Sequence, residues 1–177
     1  MQAEGRTALS DQSVAPQREG KTALVLATAA AVVLVDQLLK AWVVTSLEGR
    51  PPLVILGEWL QLNAVRNSGA AFGVGGSLTI VFTLIAAGVA VVVVRQSRTM
   101  TSRLWAVALG GLLGGAIGNL IDRLLRAPGP GRGAVVDFVD VRYFAVFNAA
   151  DAALTLSALA IVLLSLRGVP MRPSRSS

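Results

Sequence analysis

Four long apolar segments constrain the fold of this chain more than any other feature of its sequence. A helix needs roughly 20 mostly apolar residues to cross the hydrocarbon layer of a membrane. The 177-residue chain is 54% hydrophobic and only 15% charged, which is unusual for a soluble domain. We therefore predict an all-α membrane protein with four transmembrane helices. The predicted spans are about Thr22–Leu47, Ser77–Val94, Leu104–Leu125 and Phe144–Leu166.

The Lys and Arg residues between these spans predict their orientation. Cytoplasmic loops of membrane proteins are enriched in Lys and Arg. Nine of the 16 basic residues lie before the first span, between the second and third spans, or after the fourth. We therefore expect both termini in the cytoplasm. Two loops, at about residues 48–76 and 126–143, are then on the outer face of the membrane.

The segments outside the spans differ in composition. Residues 1–20 are polar and mixed in charge, so we predict a disordered cytoplasmic tail. Residues 21–167 are then the four-helix domain, and residues 168–177 are a basic cytoplasmic tail. In the first outer loop, short apolar runs bounded by Gly and Pro predict a small extracytoplasmic β-rich cradle.

Missing residue types exclude several functions. The sequence has no Cys and no His, which excludes zinc sites built on these residues and serine proteases that need a His base. Proton transfer must then use Asp, Glu, Lys, Tyr or water. The net charge of +6 does not predict nucleic-acid binding, because the basic residues flank apolar segments and only 5% of residues are aromatic.

Polar residues at one depth of the membrane predict a functional site. A charged side chain inside a span is costly and usually faces protein or a wet cavity. Spacings of three and four residues place the members of each polar group on one helix face. Because the groups come from three spans and an outer loop, we predict that they converge. They are Asp36, Lys40, Asn119, Asp122, Arg123, Asp137, Asn148 and Asp151.

Each polar group also has a purely structural interpretation. We interpret Asp36 and Lys40 first as a structural ion pair between residues four apart. Asp122 and Arg123 have the pattern of a helix-end pair, and Asp151 that of a carboxylate stabilising a helix N-terminus. The glycines of the third span predict close helix packing. Coincidence of all the polar groups at one depth favours a site over these separate explanations.

Five segments, in order along residues 22–166, resemble motifs of the lipoprotein signal peptidase family, the bacterial signal peptidase II. Any one of them is weak evidence, but five in register are specific. The segments are DQLLK at 36–40, NSGAAFG at 67–73, GNLIDR at 118–123, VVDF at 135–138 and FNAADA at 147–152.

The resemblance implies an activity, a location and roles for residues. It implies hydrolysis before the diacylglyceryl-modified Cys of prolipoproteins, at the outer face of a bacterial plasma membrane. It implies a monomer that contacts membrane lipids and needs neither cofactor nor metal. Asp137 and Asp151 are the implied catalytic pair. The implied supporting residues are Asn67, Asn119, Arg123 and Asn148, with Asp122 supporting Arg123, and Asp36 and Lys40 in roles that the resemblance leaves open.

Two other functions fit parts of the sequence. A Ser-Lys peptidase would pair Lys40 with a nucleophile such as Ser68. A small transporter or channel would use Asp36 as its central carboxylate. Such peptidases usually carry a large soluble domain that this chain lacks, and the sequence has no visible inverted repeat of the kind found in transporters.

Overall fold

The computed structural model describes residues 21–69 and 77–172. Within these residues the chain forms four α-helices and one four-stranded sheet. The predictions for the tails at 1–20 and 173–177, and for the loop at 70–76, lie outside the described residues. The elements are α1 (Thr22–Leu47), β1 (Leu53–Leu56), β2 (Leu60–Asn67), α2 (Ser77–Ser97), α3 (Arg103–Leu125), β3 (Val135–Val141), β4 (Ala145–Phe147) and α4 (Ala149–Leu166).

Helix α3 is the centre of the bundle and packs against α1, α2 and α4. Its glycines make this possible, because small residues let helix backbones approach closely. A Cβ atom at Gly114 would lie 2.7 Å from the Cβ of Val32 in α1. A Cβ atom at Gly115 would lie 2.6 Å from the carbonyl oxygen of Ala150 in α4. The packing role predicted for the glycines of the third span is therefore confirmed.

The four strands form an antiparallel sheet in the order β1-β2-β3-β4. Side chains of β3 alternate between the two faces of this sheet. Val136 and Phe138 are buried in a cluster with Val43 and Leu47 of α1. The sheet therefore covers one end of the helix bundle, which we call the sheet end, and Asp137 faces away from that apolar cluster.

The opposite end of the bundle holds a larger apolar cluster. Val25, Met100 and Trp105 are among its buried residues. The indole N–H of Trp105 donates to the carbonyl oxygen of Val169 at 2.9 Å. The segment predicted as a tail from residue 168 thus begins with residues that pack against the bundle.

Three described helices, α1, α3 and α4, are long and apolar enough to cross a membrane. The apolar part of α2, Thr83–Ser97, is shorter than these three helices. Large apolar side chains point outward from the helices, such as Leu38 at 61% and Leu84 at 66% exposed. This surface fits a multi-pass membrane protein, because lipid rather than water then covers it.

Two boundaries differ from the predictions. The predicted β-rich cradle was based on the first outer loop, but the sheet also includes β3 from the second outer loop and β4 from the start of the predicted fourth span. The fourth helix begins at Ala149 rather than Phe144, because Ala145–Phe147 pairs with β3 and Asn148 then caps the helix. An apolar strand that leads straight into an apolar helix gives no change in hydropathy that would separate them.

Candidate active site

Asp137 is held on β3 at the junction of the sheet and the bundle. It is opposite Val65 on β2, and Asn67 is two residues further along that strand. Diagonal neighbours on one face of an antiparallel sheet are within side-chain reach. The amide nitrogen of Asn67 accordingly donates to Oδ2 of Asp137 at 2.8 Å. Asp137 is only 2% exposed, so its carboxylate depends on such donors in place of water.

Asp151 is in the first turn of α4, where it closes a capping box with Asn148. The Asp151 backbone N–H donates to Oδ1 of Asn148 at 3.0 Å, and the Asn148 N–H donates to Oδ2 of Asp151 at 3.2 Å. This reciprocal pairing satisfies helix N-terminal donors. The structural interpretation of Asp151 is therefore correct, but its second carboxylate oxygen is directed to a different partner, Asn119.

Asn148 connects the two carboxylates. Its side-chain nitrogen donates to Oδ1 of Asp137 at 2.6 Å, and its backbone N–H donates to Asp151. Its side-chain oxygen is already held by the Asp151 N–H, so the amide has one orientation. Asn67 is oriented in the same way, because its oxygen accepts from the N–H of Gly69 at 2.9 Å.

Asn119 approaches Asp151 from α3. Its side-chain nitrogen donates to Oδ1 of Asp151 at 2.7 Å. Its oxygen accepts from the Lys40 ammonium at 3.1 Å and from the Asn148 amide at 3.2 Å. Three asparagines therefore present N–H groups to the two carboxylates, and an independent donor fixes each amide.

A cluster of buried charges lies behind the asparagines. The Lys40 ammonium is 2.8 Å from the carboxylate of Asp36 and 2.9 Å from that of Asp122. The side chains of these three residues are fully buried. Asp122 also pairs with Arg126 at 2.6 Å. The predicted Asp36–Lys40 pair is confirmed, but it belongs to a larger network.

Opposing effects act on the Asp137 carboxyl. Burial raises its pKa above the ordinary value, and the nearby Asp151 carboxylate raises it further. The hydrogen bonds from Asn67 and Asn148 and the charge of Lys40 lower the pKa, but the net shift is upward. The environment therefore favours a proton on Asp137 more than water would.

A cavity of about 450 Å³ between α2, α3 and α4 opens onto Asp151. Arg123 lines it, and the charge of its guanidinium interacts electrostatically with the carboxylates of Asp137 and Asp151. The cavity lining includes Asn67, Asn119, Leu120, Arg123, Asp151 and, from α2, Ile85 and Val89. Asp137 and Asn148 lie behind this surface and are buried. The site thus has a polar wall of candidate catalytic groups beside an apolar space.

Comparison with known proteins identifies the family of the chain that carries this site. Residues 28–167 match the family model described as signal peptidase (SPase) II. A protein of Streptomyces griseus named lipoprotein signal peptidase is 48% identical over 94% of this chain and 85% of its own length. One of Mycobacterium avium with the same name is 45% identical over 88% of this chain and 87% of its own length.

This chain belongs to the signal peptidase II family. It is therefore an enzyme, and the family is one of membrane aspartic peptidases. A bacterial membrane enzyme solved at 1.9 Å resolution is also similar, with a TM-score of 0.74 and 27% identity over 85% of this chain and 98% of that one. The overall fold of this signal peptidase II thus matches that of a known membrane enzyme.

The structure brings together the residues that the sequence predicted for a site. All nine candidate residues contact the network around the two carboxylates or line the cavity beside them. Asp122 was expected to support Arg123. Its carboxylate interacts electrostatically with Arg123, and it also forms ion pairs with Lys40 and Arg126.

Two members of the network were missed. Arg126 follows Asp122 by four residues, a spacing that predicts an ion pair on a helix, but it lies in a segment that was assigned to the outer loop. Gln37 donates to Oδ2 of Asp36 and to the carbonyl oxygen of Gly118, both at 3.1 Å. In the sequence, only the position of Gln37 beside Asp36 indicates that it belongs to the network. In residues 21–69 and 77–172, no cluster of acidic side chains is arranged to hold a metal ion.

Proposed function

We propose that this chain hydrolyses the peptide bond before the diacylglyceryl-modified Cys of prolipoproteins, with Asp137 and Asp151 as its catalytic pair. The relatives named lipoprotein signal peptidase support this substrate. One observation supports the pair most strongly. Asn148 donates one hydrogen bond to each carboxylate, so a single residue holds the two groups together, and Asp151 lines the cavity.

The proposed chemistry needs only the two carboxylates and water. Peptide hydrolysis requires a base that takes a proton from water and an acid that protonates the leaving amine. Two neighbouring carboxyl groups that share one proton provide both, since like charges at short range do not both ionise cheaply. The net upward pKa shift of Asp137 supports a shared proton. The titration belongs to the pair, so neither residue is assigned alone as acid or base.

The neighbouring polar groups have two proposed tasks. The amides of Asn67, Asn119 and Asn148 hold the carboxylates in place through hydrogen bonds of 2.6–2.8 Å. Arg123 faces the same cavity with a positive charge. A fixed positive group beside the scissile carbonyl stabilises the oxyanion that develops in the transition state.

The proposed location is the outer face of a bacterial plasma membrane, with four spans and both termini in the cytoplasm. The distribution of Lys and Arg supports this orientation. In this arrangement the sheet end faces the outer surface, where the diacylglyceryl chains of a precursor are anchored. The cavity beside α2 then accepts the segment around the modified Cys, and the lipid mainly positions the scissile bond. We propose that one copy of the chain is sufficient.

The two other functions fit the structure less well. A Ser-Lys mechanism needs a neutral lysine as base, whereas Lys40 lies fully buried between the carboxylates of Asp36 and Asp122. Asp36 is also unsuited to ion passage, because Lys40, Gln37 and the N–H of Ala150 all bond to its carboxylate.

A cleavage assay with matched precursors tests the proposed function. The purified full chain in detergent is given one prolipoprotein with and without the diacylglyceryl group, and release of the signal peptide is followed by gel shift. We expect cleavage of the lipidated form, continued cleavage in the presence of a chelator, and little cleavage of the other form. Equal cleavage of both forms would contradict the substrate assignment, and loss of activity with the chelator would contradict the two-carboxylate chemistry.

A further inference from the structure

Lys40 uses all three protons of its ammonium group at the centre of the buried network. It contacts Oδ2 of Asp36 at 2.8 Å, Oδ2 of Asp122 at 2.9 Å and Oδ1 of Asn119 at 3.1 Å. A lysine ammonium has three donors, so none is left over for substrate or water. Lys40 is also fully buried, so it has no direct route to the cavity.

Two of the three contacts lead to the backbone beside a candidate catalytic residue. The other carboxylate oxygen of Asp36 accepts from the N–H of Ala150 at 2.9 Å, one residue before Asp151. Oδ2 of Asp122 accepts from the N–H of Val136 at 3.1 Å, one residue before Asp137. One ammonium group therefore joins α4 to β3 through α1 and α3.

The third contact leads to a carboxylate through one side chain. Lys40 holds the oxygen of Asn119, so the amide nitrogen of Asn119 faces Oδ1 of Asp151 at 2.7 Å. Without the lysine, the Asn148 amide would be the remaining donor to that oxygen. All three contacts of Lys40 thus lead to a candidate catalytic aspartate or to the backbone N–H of the residue before one.

We propose that Lys40 is a positioning residue, which sets the separation and orientation of the Asp137 and Asp151 carboxylates by joining the segments that carry them. This inference rests on the proposed function of the two aspartates. Lys40 touches neither the substrate nor the water and acts through Asp36, Asp122 and Asn119.

The chemistry of the residue explains why a lysine occupies this place. Burying a charge is costly unless its partners satisfy it, and an apolar group of the same size often stabilises a protein at least as well. An ammonium is compact and donates in three diverging directions, which suits three acceptors on three sides. A guanidinium donates in one plane and does not reproduce this arrangement. The network is therefore better explained by the need to hold its three acceptors in fixed positions than by a gain in stability.

Two variants of the full chain test the proposal. Lys40→Arg keeps the charge and changes the directions of the donors. The double variant Asp36→Asn with Lys40→Met removes one negative and one positive charge together, and it leaves an oxygen at position 36 that can accept from Ala150. The control is Trp105→Phe, which loses the hydrogen bond to Val169 at the opposite end and so lowers stability away from the site. Each protein is assayed on the lipidated precursor, and its unfolding midpoint is measured.

We expect kcat to fall about 10- to 100-fold in both Lys40 variants, because small displacements of catalytic groups cost about this much. We expect KM to stay within about twofold of the wild-type value. The Trp105→Phe control should keep the wild-type kcat even if its unfolding midpoint is as low as that of the Lys40 variants. Wild-type kcat in either Lys40 variant would overturn the proposal, and so would failure of both to fold, which would assign Lys40 to folding. If the wild-type chain does not cleave the precursor, the proposed function fails instead.

Discussion

The two ends of the helix bundle are held together by different kinds of contact. At the end away from the sheet, the opposite end, α1 and α3 meet through glycine and apolar side chains, and Val25 and Met100 are fully buried there. At the sheet end the same two helices meet through Asp36, Lys40 and Asp122, which are also fully buried. Apolar packing is favourable by itself, whereas buried charges are stable only while every partner is present.

This contrast separates stability from function within one bundle. The opposite end can lose a contact and still leave the carboxylate site intact, because none of the polar residues of the site belongs to its apolar cluster. The sheet end uses its buried polar groups to hold Asp137 and Asp151. Changes at the sheet end should therefore lower turnover first, and changes at the opposite end should lower stability first.

The largest effect short of removing an aspartate is expected at Arg123. Replacement by Met removes the positive charge that faces both carboxylates and the cavity. If this charge stabilises the oxyanion, kcat falls about 100- to 1000-fold. Steady-state cleavage of the lipidated precursor measures the loss. Arg123→Lys, which keeps a charge, should recover part of it, and a Met variant with wild-type kcat would assign Arg123 to another role.

A large effect on stability, rather than on turnover, is expected at Gly110. A Cβ atom there would lie 2.7 Å from the Cβ of Thr28 and 2.8 Å from the carbonyl oxygen of Val25. Gly110→Ala should cost about 1–3 kcal/mol of stability, as overpacking does, and should leave kcat per folded molecule unchanged. The unfolding midpoint in detergent measures this. Gly88→Ala is the matched control, because nothing lies within 4 Å of its Cβ position.

A smaller effect, with a defined sign, is expected at Asn67. Its hydrogen bond lowers the pKa of Asp137, so Asn67→Leu should raise that pKa further. The pair of carboxyl groups then loses its first proton only at higher pH, so the acid limb of the pH–rate profile should move to higher pH. Asp140→Asn, on the same strand, should leave the limb in place. A limb that moves to lower pH in Asn67→Leu would contradict the contact.

The smallest effect is expected at an exposed ion pair near the site. Arg66 and Glu48 are 2.8 Å apart, with their side chains about 40% exposed. Solvent-exposed pairs contribute little to stability. Glu48→Gln should therefore change neither kcat nor the unfolding midpoint measurably. A loss comparable to that of Gly110→Ala would mean that exposed charges also stabilise the sheet end.

The same contrast explains how much of the molecule could be predicted from its sequence. The helices were predicted within a few residues, because an apolar run of about 20 residues is a strong local signal. The candidate residues could be identified for a similar reason, because charges inside apolar spans are few and costly and therefore stand out in the sequence. Residue spacing alone placed Asp36 beside Lys40, as the structure confirms.

The remaining features depend on contacts between distant parts of the chain. Nothing local distinguishes β4 from the start of α4, because only pairing with β3 makes Ala145–Phe147 a strand. The bond from Ala150 to Asp36 joins residues 114 positions apart, and no spacing rule predicts it. The role of Lys40 was left open for the same reason. Its partners on α3 are known only once the helices are packed.

The account is tested most directly by the turnover of Asp137→Asn and Asp151→Asn on a lipidated precursor, with folding checked by the unfolding midpoint of each purified variant. Because the proposed mechanism needs both carboxylates, neither variant should cleave above background while both remain folded. Wild-type turnover in either folded variant would show that the two aspartates are not the catalytic pair.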